Sequence, residues 1–349
     1  MSLLSAASVR SIQSEDQLEE LLSRPTPADI EWVSRLRGGL LILGAGGKMG
    51  PSLAWRARRA ADAAGIALQV TAVSRFSSPA ARERLEEKKI ETIACDFLDR
   101  GQVEQLPLCE NVLFMAGRKF GTGDRSDLTW ASNTVVPANL GFHLHDSRMV
   151  VFSTGNVYPL VAASSSGSTE TDPLGPVGEY AQSCLGRERV MEYFSREFSM
   201  PSLMFRLNYA VDLRYGVLVD IAWKVRRGEP IDLTVGYVNV IWQGDANSMA
   251  LRSLDFCQSP PRILNVTGAE KLSVKEVAHF FASRWDRQPQ FQGTEGPTAL
   301  LSNSALSRSL LGELEVSSEQ LLEWVAVWVE GSGSYLGKPT KYEVSDGRF

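Results

Sequence analysis

The sequence predicts an α/β protein: a doubly wound parallel sheet with helices on both faces, followed by a smaller C-terminal α/β substrate-binding region. Three observations predict it. Short apolar runs alternate with amphipathic stretches from about residue 39 to 208, the first run ends in a glycine cluster, and the rhythm loosens after about residue 210. Apolar strands buried on both faces and joined by helical crossovers make a parallel sheet.

Each element follows in order. Residues 1–37 are polar and helix-prone, divided by Pro25 and Pro27, and read as an N-terminal extension. Residues 39–43 form a first strand, and a helix spans 48–64. ALQVTAVS (67–74) is a second strand, AARERLEEKK (80–89) a charged helix and IETIAC (90–95) a third strand. NVLFMAG (111–117) is a fourth, followed by a helix over roughly 124–141 and RMVVFST (148–154) as the fifth. A polar, Pro/Gly-rich loop (167–178) precedes a helix holding Tyr180, and SLMFRLN (202–208) is a sixth strand. This places a nucleotide-binding domain at 38–210 with a return segment near 239–265, a substrate-binding region at 211–238 and 266–330, and a tail at 331–349. The tail reads as irregular, with packing on a neighbour open as its role.

Composition narrows the function. At 349 residues and net charge −5, the chain has no basic footprint for nucleic acid. No apolar run approaches the roughly 18 residues a membrane span needs, and the first twenty residues lack the apolar core of a secretory signal. Cys95, Cys109, Cys184 and Cys257 show no CxxC spacing and no disulfide framework, so a cytoplasmic location is expected. Three histidines, with His143 and His145 flanking Leu144, are too few to predict a metal site.

LLILGAGGKMG puts Gly44, Gly47 and Gly50 in a GxxGxxG pattern between a strand and a helix. Small residues there permit a tight turn and let the backbone approach a pyrophosphate at the helix N-terminus. In this context the pattern predicts a Rossmann-type dinucleotide site, with Lys48 and Met49 in the same loop. The second strand ends at Ser74 and Arg75, with no acidic residue to hold a ribose 2′-OH. Arg75, helped by Lys48, suits a 2′-phosphate, which favours NADP while leaving NAD possible.

From about residue 38 to 330 the order of motifs resembles the extended short-chain dehydrogenase/reductases, the NAD(P)-dependent epimerase/dehydratase family. GAGGKMG matches its glycine loop, CDFLD (95–99) the segment whose aspartate, here Asp96 beside Phe97, contacts adenine, and MAG (115–117) the fourth-strand motif with Ala116 and Gly117. Asn133 matches the asparagine of the following helix, FSTGNVY (152–158) the serine/threonine motif with Ser153 and Thr154, and Tyr180 the catalytic tyrosine. FRLNYA (205–210), the surroundings of Asp245 and ILNVTGAEKLSVKEV (263–277) also fit. The resemblance implies an oxidoreductase or epimerase acting on a sugar-like hydroxyl or ketone. Tyr180 would be its acid/base, Thr154 would polarise the same oxygen, and a nicotinamide would carry the hydride. It also implies a homodimer packed through the Tyr180 helix.

The sequence departs from the family at one functional position. Members carry a lysine four residues after the tyrosine; this chain has Cys184. A phenol of ordinary pKa, about 10, is ionised in roughly one molecule per thousand at pH 7, so the phenolate lies about 4 kcal/mol uphill. Three readings stay open: another cation (Arg187 or Lys119) substitutes, a neutral tyrosine acts only as a proton donor, or the fold binds the nucleotide as a non-catalytic sensor or scaffold. With no histidine nearby in sequence, Cys184 reads as a small buried residue in the cofactor region and not as a nucleophile. Thr154 is followed by Gly155 and Asn156, so the acidic pair of the sugar-nucleotide dehydratases is missing. Val238 stands where their relatives hold a diphosphate with arginine. The expected substrate is a free sugar, a glycoside or another polyol-like molecule, unless Arg206, Arg214 or Arg226 takes over the clamp.

Overall fold

The computed structural model describes residues 5–119, 125–338, 340–344, 346 and 347. Position 124, where the predicted fifth-strand approach helix begins, lies outside them. Seven strands form one sheet: β1 Leu40–Leu43, β2 Val70–Ser74, β3 Glu91–Ala94, β4 Asn111–Phe114, β5 Arg148–Thr154, β6 Ser202–Leu207 and β7 Arg262–Val266. Their order is β7-β6-β5-β4-β1-β2-β3, and every neighbouring pair is parallel. The order reverses between β1 and β4, and in open α/β sheets a ligand crevice opens at the carboxyl ends of strands at such a switch point.

The N-terminal residues are structural. Helix α1 (Glu15–Ser23) starts at Ser14, which accepts from the Gln17 N–H, and α2 (Pro27–Arg35) starts in a reciprocal Thr26–Asp29 capping box. Both pack on α3 (Gly50–Ala64). Asp29 is fully buried: it pairs with Arg56 of α3 at 2.7 Å and accepts from Ser248 at 2.6 Å. The stretch read as an extension is therefore part of the core.

Two helical layers cover the sheet. On one face, α3 presents Ala54, Ala57, Ala60 and Ala61, small enough to lie close to the strands. Helix α4 (Pro79–Glu86) follows β2. On the other face lies α5, continuous through Ser126–Trp130, a π-helical turn Ala131–Val135 and Val136–His143. Beside it runs α6 (Gly178–Phe198), whose Tyr180, Cys184, Arg187 and Met191 share one stripe at i, i+4, i+7 and i+11. A third core joins α1 to α7 (Val217–Arg227), α8 (Val274–Arg284) and α9 (Ser318–Glu330) in the C-terminal part of the chain.

The described tail residues pack on their own chain. Thr340 donates to Asp220 from its N–H (2.7 Å) and its hydroxyl (2.6 Å), Tyr342 is buried, and Glu343 meets Lys224 at 3.2 Å. It folds back over the carboxyl end of the sheet of its own chain.

Candidate active site

The glycine loop follows β1 directly. Gly44 adopts φ 94°, and a Cβ there would come within 2.5 Å of the Ala116 N, so a side chain would separate β1 from the end of β4. Met49 precedes α3 without any side-chain cap, which leaves the first N–H groups of the helix facing the crevice. A groove of about 410 Å³ runs along this edge. Gly44, Gly47, Ser74 and Arg75 line one end, Asp96 and Phe97 the next stretch, and Ala116 and Gly117 the middle. Gly50 opens α3 behind them. Gly46, Ser77 and Ser78, which no motif marks as site residues, also line the groove. The available signal was Ser77-Ser78-Pro79, a serine followed by proline at the start of α4. Arg75 is exposed and forms no ion pair among the described residues. The cradle, the helix N-terminus and a Ser/Arg corner fit a phosphorylated dinucleotide.

Lys48 is not in that corner. Its ammonium turns to the other side of the loop, 3.4 Å from the Ala210 carbonyl and 3.7 Å from the centre of the Tyr215 ring. The expected pairing with Arg75 on a 2′-phosphate is therefore not made, because the loop backbone aims the two side chains into separate cavities. Burial lowers the Lys48 pKa to about 7.

The second cavity, about 150 Å³, holds the side chains of Tyr180 and Thr154. Thr154, Tyr180, Lys48, Met49, Ser153 and Lys119 line it. Thr154 ends β5, where its Oγ1 accepts from Asn156 N (3.2 Å) and Asn156 Nδ2 (3.0 Å). Its own hydrogen is left to donate to the Tyr180 hydroxyl, to which it is bonded. Tyr180 in turn is bonded to the Cys184 thiol. Burial pushes the Tyr180 pKa well above 10, with Cys184 adding to the shift; the Thr154 bond and the Arg187 charge oppose it. Burial also raises the Cys184 pKa, so the thiol stays neutral. Cys184 lies behind Tyr180 against Val157 and Tyr158 and lines neither cavity.

Arg187 sits beneath both. It is buried, donating to the Phe152 carbonyl at 2.7 Å and to Asn133 Oδ1 at 2.5 Å. A Cβ on Gly117 would fall 2.2 Å from its guanidinium, so glycine at the end of the MAG motif is what admits this cation under the crevice. Asn133 comes from the π-helical turn of α5, a local widening that often marks functional sites. Its amide holds Arg187, the Arg118 N–H and Ser183, so it positions the cation and does not line the groove. Lys119 lies 5.9 Å from the Tyr180 ring centre and 3.5 Å from the Thr340 carbonyl. Burial lowers its pKa to about 8.

Ser153, although at the cavity wall, donates to Glu188 at 2.5 Å, and Glu188 is paired with Arg206 at 2.6 Å. That commits Ser153 to the ion pair. It also commits Arg206, while Arg214 is held by Asp212, Glu15 and Glu19. Arg226 lies over the Trp285 ring, and Val238 is buried. Among the described residues no arginine lines the second cavity. His143 bonds the Leu106 carbonyl and His145 packs on Phe198. Among the described residues no group of three or more His, Cys, Asp or Glu could hold a metal, and no helix is long and apolar enough to cross a membrane.

With this geometry in view, residues 40–211 match the family described as NAD dependent epimerase/dehydratase. Three solved structures share the fold. Pal from Bacillus thuringiensis is 17% identical, with a TM-score of 0.69 over 84% of this chain and 99% of that one. UDP-glucuronic acid 4-epimerase from Bacillus cereus, solved with NAD, is 15% identical, with a TM-score of 0.68 over 84% and 98%. The dTDP-glucose 4,6-dehydratase DesIV from Streptomyces venezuelae, also with NAD, is 17% identical, with a TM-score of 0.68 over 83% and 97%. No curated protein matches the chain in sequence.

Proposed function

We propose, from the match of residues 40–211 to the NAD dependent epimerase/dehydratase family, that the chain is an enzyme of that family and an NADP-dependent oxidoreductase for a small sugar-like ketone or alcohol. The observation that carries this is the hydrogen-bond chain Asn156–Thr154–Tyr180–Cys184 with Arg187 beneath it. When bound, NADPH supplies the hydride and NADP accepts it.

The residues of the chain handle the proton. A phenol with a raised pKa remains protonated at neutral pH and is ready to give its hydrogen to a carbonyl oxygen as hydride reaches the carbon. Ketone reduction is thus the favoured direction. Thr154 has one hydrogen, so it steadies either Tyr180 or the substrate oxygen, and Asn156 fixes its orientation. Arg187 supplies positive charge from one turn beyond the family's usual lysine position, which supports return of the proton. Epimerisation, which needs both directions in one cycle, draws on that charge more heavily.

The two cavities sort the ligands. Ser74, Arg75, Ser77 and Ser78 support a 2′-phosphate and hence NADP over NAD. Substitution of Arg75 by Ser is expected to narrow the preference at least tenfold by cofactor titration. The 150 Å³ cavity lies below the roughly 300–1,000 Å³ of drug-sized ligand sites, which supports a monosaccharide-scale substrate without a nucleotide. Exposed Val135, Phe142, Tyr193 and Phe198 on α5 and α6 support a homodimer through those helices. Light scattering at the dimer mass tests it, and a monomer would contradict it.

The reading of the chain as a non-catalytic NADP sensor draws on Cys184. Incubating the NADPH-loaded protein with a panel of ketoses and sugars, and following the nicotinamide absorbance, separates the two. Turnover that disappears in Tyr180→Phe supports the enzyme; an unchanged nicotinamide across the panel supports the sensor.

A further inference from the structure

Resting on that reading, we infer that Lys48 and Lys119, with the N-terminus of α7, bind the carboxylate of an acidic sugar, so that the substrate is a sugar acid and not a neutral sugar. The two lysines come from unrelated elements, the glycine loop and the segment after β4, yet both line the cavity of Thr154 and Tyr180. They are near enough for the charge of Lys119 to disfavour that of Lys48.

Lys48 meets the Tyr215 ring and a backbone carbonyl, and no anion among the described residues. It forms no ion pair among the described residues, and its 3.4 Å contact to the Ala210 carbonyl is longer than an ordinary hydrogen bond. The nearest carboxylates are engaged elsewhere. Asp212 is paired with Arg214 at 2.7 Å, and Asp220 accepts from Thr340 and Tyr335. A third donor group points the same way. Gly216 and Val217 line the cavity, and α7 begins at Gly216 with no side-chain cap, leaving backbone N–H groups and the positive end of the helix toward the ligand.

Charge balance selects the anion. Burial brings Lys48 to about 7 and Lys119 to about 8, and Arg214 offsets the Asp212 charge, so the two lysines together offer on the order of one positive charge near neutrality. That suits a carboxylate monoanion better than a phosphate dianion. Asn156 and Asn208, also on the wall, are amides suited to sugar hydroxyls. Neither lysine lines the groove of Arg75 and Asp96, so a role on the cofactor's adenosine phosphates is not the one their placement supports.

The test uses the full chain loaded with NADPH. Calorimetric titration compares hexonates and 5-keto-D-gluconate with the matching polyols and D-fructose, and the same pairs are run for turnover. At least one acid is expected to bind about tenfold or more tighter than its neutral partner. Lys48→Gln should weaken that acid about 10- to 100-fold and leave the neutral partner and NADPH within about threefold. Lys48→Arg, which keeps the charge, should lose less than about tenfold. If acids bind no tighter than neutral partners, if glucose 6-phosphate binds tighter than every acid, or if Lys48→Gln weakens NADPH instead, the inference fails. Turnover of neutral sugars without acid preference sinks this inference alone. Acid binding without any nicotinamide change supports the inference and sinks the proposed reaction.

Discussion

Replacing Arg187 by methionine tests how the site works without the family lysine. The guanidinium is buried, opposes the upward shift of the Tyr180 pKa, and keeps similar length and flexibility only in its apolar stem when methionine replaces it. A nearby cation typically moves a pKa by about 1–3 units, each worth about 1.4 kcal/mol. The lower end applies, because the guanidinium is already bonded to the Phe152 carbonyl and Asn133 and ranks behind the Thr154 bond in its effect on Tyr180. The expected loss is about tenfold in kcat for alcohol oxidation, which needs the phenolate, and less for ketone reduction. Loss of two buried hydrogen bonds should also lower stability by about 1–3 kcal/mol. Arg187→Lys keeps the charge and should restore most of the oxidation rate while remaining less stable. The assay is steady-state kinetics in both directions, alongside thermal unfolding. A folded Arg187→Met protein that oxidises its alcohol as fast as the parent would refute the reasoning.

Other consequences follow from the same geometry. Cys184→Lys should not raise turnover, because Arg187 already supplies charge and the thiol pocket against Val157 and Tyr158 is full; overpacking should cost about 1–3 kcal/mol, read by denaturant unfolding. Asp29→Ala leaves Arg56 buried without its carboxylate and should cost about 3–5 kcal/mol in the same assay. Asp245 is buried, and desolvation raises its carboxyl to about 7 despite bonds from the Glu315 and Val316 N–H groups and the Arg56 charge. A raised folded pKa means stability that is full below about pH 4 and lost as pH rises through about 7. Asp245→Asn should therefore remove roughly 2–4 kcal/mol of the stability difference between about pH 5 and pH 8.

Much of the sheet was legible because buried parallel strands are written as continuous apolar runs, as LLIL at 40–43 and RMVVFST at 148–154 are. The α6 stripe was legible for a similar reason: helical spacing puts Tyr180, Cys184 and Arg187 on one face whatever surrounds them. The remainder depends on contacts between distant residues. Nothing in the polar run around Asp29 announces a partner at Arg56 or Ser248. The tail has no apolar period, yet Thr340 bonds Asp220 beside the Tyr180 cavity and Tyr342 enters the C-terminal core. Ser153 carries a familiar motif position, but Glu188 on α6 claims its hydroxyl. The direction of Lys48 depends on backbone angles of the glycine loop, which spacing does not specify.

In the proposed reaction Tyr180 delivers the proton while hydride moves between nicotinamide and a small sugar-like substrate. Single-turnover oxidation of protein-bound NADPH by the keto acid or ketose that binds tightest, measured for the parent and for Tyr180→Phe, tests it most directly. Nicotinamide oxidation is expected in the parent, with a drop of at least about 100-fold in Tyr180→Phe at unchanged NADPH affinity. Equal rates in the two proteins, or no oxidation in the parent, would contradict it.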